Sequence, residues 1–130
     1  MTLRERVEPI IASVLEKNRL TPCELRGGAF CASFERLPDG EPWVQVKTGV
    51  LNIFYPSDEE PLQTIRPRLS SLPHDTVCAA WEPWRYATLE CQFADAASLA
   101  VFVEELFVRF YEFPSDTEVL SEVFDMRSEG

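Results

Sequence analysis

The spacing of apolar residues predicts an amphipathic helix at the start of the chain. The apolar positions recur at intervals of three and four residues, the period of a helix with one buried face. These positions are Leu3, Val7, Ile10, Ile11 and Val14. Thr2 and Glu5 form a capping-box pattern ahead of them, and Asn18 suits the helix end. Because a proline removes one helical hydrogen bond, Pro9 predicts an interruption or the true start of the helix.

Alternating patterns then predict three consecutive antiparallel strands. They cover residues 29–34, 43–47 and 50–55. The sequence Pro38-Asp39-Gly40 predicts a turn between the first two strands. The Thr48-Gly49 pair suits a tight hairpin between the second and the third.

The patterns over residues 62–113 predict a second helix, a second hairpin and a long final helix. The helical pattern over 62–72 contains proline, so this helix should be short or kinked. The hairpin joins strands at 77–81 and 86–93, where Cys91 should act as a small buried hydrophobe. The final helix covers 95–113, with Asp95 as its N-cap.

Residues 114–130 fit two patterns. Ser115 and Glu118 suggest a helix cap, whereas the apolar residues from Val119 to Phe124 also alternate as they would in a strand. We predict a short helix within an acidic segment that packs on a single domain formed by residues 1–113.

The element order is α-β-β-β-α-β-β-α plus this C-terminal segment. It predicts an α+β fold, in which flanking helices cover an antiparallel β-sheet. Phe102 and Leu106 lie on the main apolar face of the final helix and should be buried.

The helix over 95–113 carries apolar residues on more than one face. Val101 and Val108 lie opposite the main apolar face, between glutamates, while Phe107 and Tyr111 widen that face sideways. Scattered apolar residues are common on protein surfaces, so ordinary exposure is an equal alternative to a contact. We predict that these four residues contact another protein.

Composition is typical of one packed globular domain. The chain has 130 residues, of which 45% are hydrophobic and 12% aromatic. No apolar run approaches the length of a membrane span, and the charged N-terminal region resembles neither a signal peptide nor an anchor. The four cysteines show no zinc-binding spacing. A cytoplasmic protein is therefore expected.

Negative charge is concentrated in the second half of the chain. From Glu82 onward, three arginines oppose eleven acidic residues, within a net charge of −10 for the whole chain. Nucleic acids and anionic membranes are bound through clustered lysine and arginine, so both are disfavoured as partners. A basic protein partner remains open, as does a solvated acidic face that keeps the protein soluble.

Residues that would support catalysis or hold a cofactor do not cluster in the sequence. The single histidine, His74, lies in a turn pattern, and Gly27-Gly28 lacks the lysine of a phosphate-binding loop. The Asp58-Glu59-Glu60 run favours helix capping over cation binding. The aromatic stretch 81–86 favours packing at the core edge over ligand stacking. We predict no enzymatic activity, no cofactor and no metal.

The element order, size and acidity resemble those of the class I type III secretion chaperones and related bacterial chaperone-like domains. The resemblance covers residues 2–113, and Gly40 and the helix that begins at Asp95 occupy suitable places. It implies a small dimer that holds an unfolded stretch of a client protein along its surface.

Two classes of function follow as expectations. The first is a non-catalytic chaperone or adaptor that binds a client segment at a sheet edge or in an apolar groove, alone or as a homodimer. The second is an immunity-type inhibitor, whose acidic face blocks the basic cleft of a toxin or nuclease.

Overall fold

The computed structural model describes residues 1–129, which form a six-stranded antiparallel sheet with flanking helices. This confirms the predicted α+β class. In chain order the elements are α1 (Leu3–Leu20), β1 (Phe30–Arg36), β2 (Trp43–Lys47), β3 (Val50–Phe54), α2 (Pro61–Ile65), β4 (Val77–Glu82), β5 (Tyr86–Glu90), α3 (Ala96–Glu105) and β6 (Val119–Asp125). The strands are arranged in the order β4-β5-β3-β2-β1-β6, so β4 and β6 form the edges.

Helix α1 begins as predicted and continues further than predicted. The Thr2 side chain accepts a hydrogen bond from Glu5 N, and the Glu5 carboxylate accepts from Thr2 N (3.1 Å), which completes the capping box. The prediction that Pro9 interrupts or starts the helix is wrong, because α1 runs through it to Leu20. Pro9 is exposed, so its missing hydrogen bond lies away from the core that α1 buries with α3.

Asn18 ties the end of α1 to the loop that follows. Its side-chain amide donates to Gly27 O (3.1 Å) and Phe30 O (3.0 Å), and its side-chain oxygen accepts from Phe30 N (2.7 Å). Gly28 lies against this amide with a φ of +98°, and a Cβ there would be 2.4 Å from Asn18 Cγ. Only glycine fits both the space and the backbone angle.

The final helix changes its geometry partway. Asp95 caps α3 by accepting from Ser98 N (2.8 Å), as predicted. After Glu105, however, the chain continues as a π-helical turn over Leu106–Phe110, and Tyr111 N donates to Leu106 O (2.8 Å). A π turn contains one more residue than an α turn. The face assignments of a regular α-helix are therefore shifted beyond Glu105, although Leu106 and Phe110 remain buried.

The C-terminal segment forms a strand, so the predicted short helix is wrong. β6 pairs with β1 along its whole length, from Arg36↔Val119 to Phe30↔Asp125. Leu3 N donates to Ser115 O (2.8 Å), which links the start of this segment to α1. The segment therefore belongs to the same sheet and core as the residues before it, although Gly130 lies outside the described residues.

One hydrophobic core lies between the sheet and the helices. Phe102 and Leu106 are fully buried in it, as predicted. Cys91 is also buried, as predicted, and it forms no disulfide within the described residues. Helix α2 is short, and Glu60 caps it by accepting from Gln63 N (2.8 Å), in agreement with its predicted role. Among residues 1–129, no helix is long and apolar enough to cross a membrane.

Candidate functional site

The four predicted contact residues do not form one surface. Phe107 is fully buried, so it is not available for contact with another protein, and its assignment is corrected. The Tyr111 hydroxyl donates to Phe54 O, and burial raises the pKa of this phenol. Val101 and Val108 are half-buried. Phe107 lies in the π turn, and its side chain packs in the hydrophobic core.

The glutamates beside Val101 and Val108 bind other parts of the chain. Glu104 accepts from Arg4 N at the start of α1 (2.9 Å). Glu105 accepts from Ser70 Oγ and from Ser71 N, each at 3.0 Å. Although burial raises the pKa of Glu105, these hydrogen bonds outweigh it and lower the pKa overall. The outer side of α3 is thus enclosed on two flanks by its own chain.

The β6 edge presents unpaired backbone groups in a regular pattern. Leu37 N donates to Glu118 O (3.0 Å) and Met126 N donates to Ala29 O (2.7 Å), which sets the phase of the β1–β6 ladder. Hydrogen-bonded pairs alternate with non-bonded pairs in antiparallel strands. The backbone groups directed toward β1 belong to Leu120, Glu122 and Phe124. Those directed away from the sheet belong to Val119, Ser121 and Val123.

β6 exposes three large apolar side chains at this edge. Leu120 is 41% exposed, Val123 42% and Phe124 38%. Edge strands of stable monomers are commonly protected by short length, bulges, prolines or inward charges. β6 pairs over seven consecutive positions without a register shift, and it contains no proline. Its backbone is therefore regular enough for a further strand to pair with it, while Glu122 and Asp125 place negative charge at this edge.

The opposite edge differs. β4 pairs with β5 through a register shift between Cys78 and Ala80, which is a β-bulge. A bulge bends the strand and disrupts the alternation of its hydrogen-bonding groups. The two edges are thus unequal, and β6 is the better template for an added strand.

The sheet face opposite the core carries a row of aromatic residues. The strand register aligns Leu120, Glu35, Trp43, Phe54, Tyr86 and Glu82 across the sheet. We call Trp43, Phe54 and Tyr86 the aromatic row. Trp43 and Phe54 meet edge to face, with ring centroids 6.4 Å apart. With a strand spacing of about 4.8 Å, the row spans roughly 10 Å.

Trp84 lies beside the aromatic row, at the turn between β4 and β5. Its side chain is 63% exposed, and its φ of +64° lies in the left-handed region, which is unfavourable for a bulky residue. Trp81 in the same hairpin instead packs edge to face on the buried Tyr55, with centroids 5.8 Å apart. The predicted core-edge packing therefore holds for Trp81 and not for Trp84.

Groups with catalytic potential are scattered. In the part of the chain that the structure describes, no three His, Cys, Asp or Glu residues are placed to hold a metal ion. Burial raises the pKa of the Cys91 thiol to about 11, which disfavours the reactive thiolate. His74 is exposed in a turn.

Sequence reasoning missed both β6 and the aromatic row. The alternation of Val119 to Phe124 was the available signal for β6. The aromatic row had no local signal, because its members come from three strands that only the register brings together.

We find no family model, curated protein or solved structure that matches this chain. Its function must therefore be inferred from the β6 edge and the open sheet face.

Proposed function

We propose that this chain is a non-catalytic protein-binding module, a chaperone or adaptor, that adds an extended segment of a partner protein to the free edge of β6. The observation that carries the proposal is the regular, unpaired and apolar β6 edge. In strand addition, backbone hydrogen bonds supply affinity, and alternate side chains supply specificity.

The backbone pattern defines how a segment would bind. Val119, Ser121 and Val123 offer N–H and C=O groups at every second position of the edge, the spacing that a new antiparallel or parallel strand requires. Leu120 and Phe124 lie on the open face, whereas Val123 lies on the side of the core. The alternate side chains of an added strand would lie beside Leu120 and Phe124 on one face and beside Val123 on the other.

Charge favours a basic partner. Residues 112–125 contain five acids and no base. Glu118 and Glu122 form no ion pair within residues 1–129. A segment that carries lysine or arginine beside its apolar residues would offset this charge, as complementary interfaces do.

The same charge weighs against pairing between two copies of β6. A second copy would bring another chain of net charge −10 to the seam, with its own Glu118 and Glu122. Like charges opposite each other destabilise strand pairs. We therefore favour a different protein over a homodimer as the occupant of this edge. A cytoplasmic setting, in which thiols stay reduced, agrees with the thiols of Cys78 and Cys91.

A synthetic peptide of alternating valine and lysine tests the proposal. We expect it to bind more tightly than the same peptide with glutamate in place of lysine, as measured by fluorescence anisotropy at low salt. Amide hydrogen exchange should slow at Val119, Ser121 and Val123, whose amides exchange fast in the free protein. Leu120 should be protected both before and after binding, because its amide already faces β1.

Two valine variants provide a matched comparison. Val123 on β6 is 42% exposed and Val77 on β4 is 54% exposed. Lysine at an edge opposes strand addition, so Val123→Lys should abolish peptide binding while Val77→Lys leaves it intact. Equal binding by both variants would refute the β6 site. Salt-sensitive binding of a folded basic protein, unchanged by Val123→Lys, would favour the immunity-type inhibitor instead.

A further inference from the structure

The open sheet face holds a second arrangement that is separate from the β6 edge. A groove of about 350 Å³ runs along the aromatic row and is bordered by Trp84 and Glu41. Trp43, Phe54 and Tyr86 are half-buried, so part of each ring faces solvent. The groove combines aromatic surfaces with a carboxylate.

The charge around this groove is negative. Glu35 lies directly beside Trp43 in the strand register, and Glu41 lines the groove. Neither forms an ion pair in the described chain. Arg85 also borders the groove, but its Nη1 pairs with Glu82 Oε1 (3.2 Å), so this pair adds no net charge.

No cationic side chain of the described residues lies over a ring of the aromatic row. Over residues 1–129, cationic side chains lie above the rings of Phe30, Phe110 and Phe113, and above no ring of the row. Aromatic faces attract ammonium and guanidinium groups, most strongly where tryptophan contributes. The carboxylates of Glu35 and Glu41 attract the same cationic groups.

Trp84 supports a binding role for this groove. A hairpin turn with positive φ is a usual place for glycine or asparagine, which adopt this conformation readily. Here the position holds a largely exposed indole beside the row. Packing does not explain this choice, because most of the side chain contacts solvent.

We propose that the aromatic row, together with Trp84, Glu35 and Glu41, binds an arginine or lysine side chain of a partner polypeptide. The site does not depend on strand addition at β6, because its rings lie on β2, β3 and β5. This site would recognise a basic side chain of the partner, whereas the β6 edge would bind the partner's backbone.

Two acetylated and amidated pentapeptides that differ at one position test this proposal. One has a central arginine between Gly-Pro and Pro-Gly, and the other has citrulline, which is a neutral analogue of the same shape. Side-chain indole resonances in NMR spectra report the site: those of Trp43 and Trp84 should shift with the arginine peptide, while that of Trp81 stays in place. The citrulline peptide should bind about fivefold more weakly.

Variants distinguish the contribution of charge to peptide binding from that of nonspecific apolar contact. Glu41→Gln should weaken the arginine peptide about threefold and leave the citrulline peptide unchanged. Trp84→Gly should weaken the arginine peptide at least about fivefold while the fold is retained. Equal affinity for both peptides would overturn the proposal, as would equal indole shifts with cellobiose, a neutral sugar. Tighter binding of tetramethylammonium than of the arginine peptide would also overturn it, because a free cation would then be the ligand.

Discussion

Trp84 allows a direct test of whether its backbone conformation is strained. We compare Trp84→Ala with Trp84→Gly, because these variants remove the same indole and differ in one methyl group. The turn keeps its backbone hydrogen bonds in both, from Trp84 N to Ser57 O and from Arg85 N to Glu82 O, each 3.2 Å. Any difference in stability between them therefore reports the cost of a side chain at φ +64°.

The magnitudes follow from exposure and backbone angle. Somewhat over a third of the indole is buried, which is about 90 Å² of apolar area and at most about 2 kcal/mol of burial energy. Alanine loses that burial and keeps the left-handed penalty of about 1 to 2 kcal/mol. Glycine also loses the burial energy but avoids the left-handed penalty. Its greater flexibility in the unfolded state offsets about 0.5 to 1 kcal/mol of that advantage. We expect Trp84→Gly to be more stable than Trp84→Ala by about 1 kcal/mol.

Urea denaturation followed by far-ultraviolet circular dichroism measures this difference, since the removed tryptophan would confuse fluorescence. Both variants should keep the wild-type m-value. In ordinary strand or helix positions alanine is the more stable of the two. An alanine variant as stable as the glycine variant would therefore show that the backbone at Trp84 is not strained, and that the indole needs no functional reason to be there.

The remaining predictions concern packing in the core, the hydrogen bonds of Asn18, the pH dependence of stability and the reactivity of the thiols. Phe102→Ala should lower the free energy of unfolding by about 3 to 5 kcal/mol in urea denaturation, because it opens a cavity beneath α3. Asn18→Ala should lower it by about 2 to 4 kcal/mol and speed hydrogen exchange in the loop before β1, since the side-chain hydrogen bonds of Asn18 are lost. The pKa of Glu105 is lowered in the folded state, so its ionised form stabilises the fold at neutral pH, and this stabilisation is lost as the pH falls through that pKa. Glu105→Gln should therefore lower the free energy of unfolding by about 1 to 2 kcal/mol at pH 7. Thermal melts over a pH series should show that this difference from the wild type shrinks in acid. Iodoacetamide should label the half-exposed Cys23 of the native protein well before Cys91, as followed by mass spectrometry; equal rates would contradict the burial of Cys91.

Local sequence signals predicted most of the elements because their causes are local. Thr2 and Asp95 cap helices through bonds to backbone groups three residues away, and Gly49 supplies the positive φ of the first hairpin. β6 was missed because its partner β1 lies far away in the sequence, and Val119 to Phe124 satisfies both helical and extended periods. Pairing with β1 decides between them.

The candidate binding surfaces are harder to predict than the fold. A regular helix over residues 95–113 does not account for the π turn at Leu106–Phe110, in which Phe107 is buried, and the sequence offers no known signature for this turn. The aromatic row depends on register between strands, which is set by the whole sheet. Exposure of the β6 edge depends in turn on which strand ends the sheet.

The difference between the two sheet edges limits how many partner strands can be added to one chain. A subunit with two receptive edges has a valency of two, and repeated head-to-tail joining then produces an open filament. In the described part of this chain, β6 is regular while the bulge in β4 disrupts the other end. If β6 binds one segment as proposed, the irregular β4 edge leaves a complex with one partner per chain. Under that proposal, the chain pairs with one strand of its partner and offers, within its described residues, no second regular edge from which a fibre could continue.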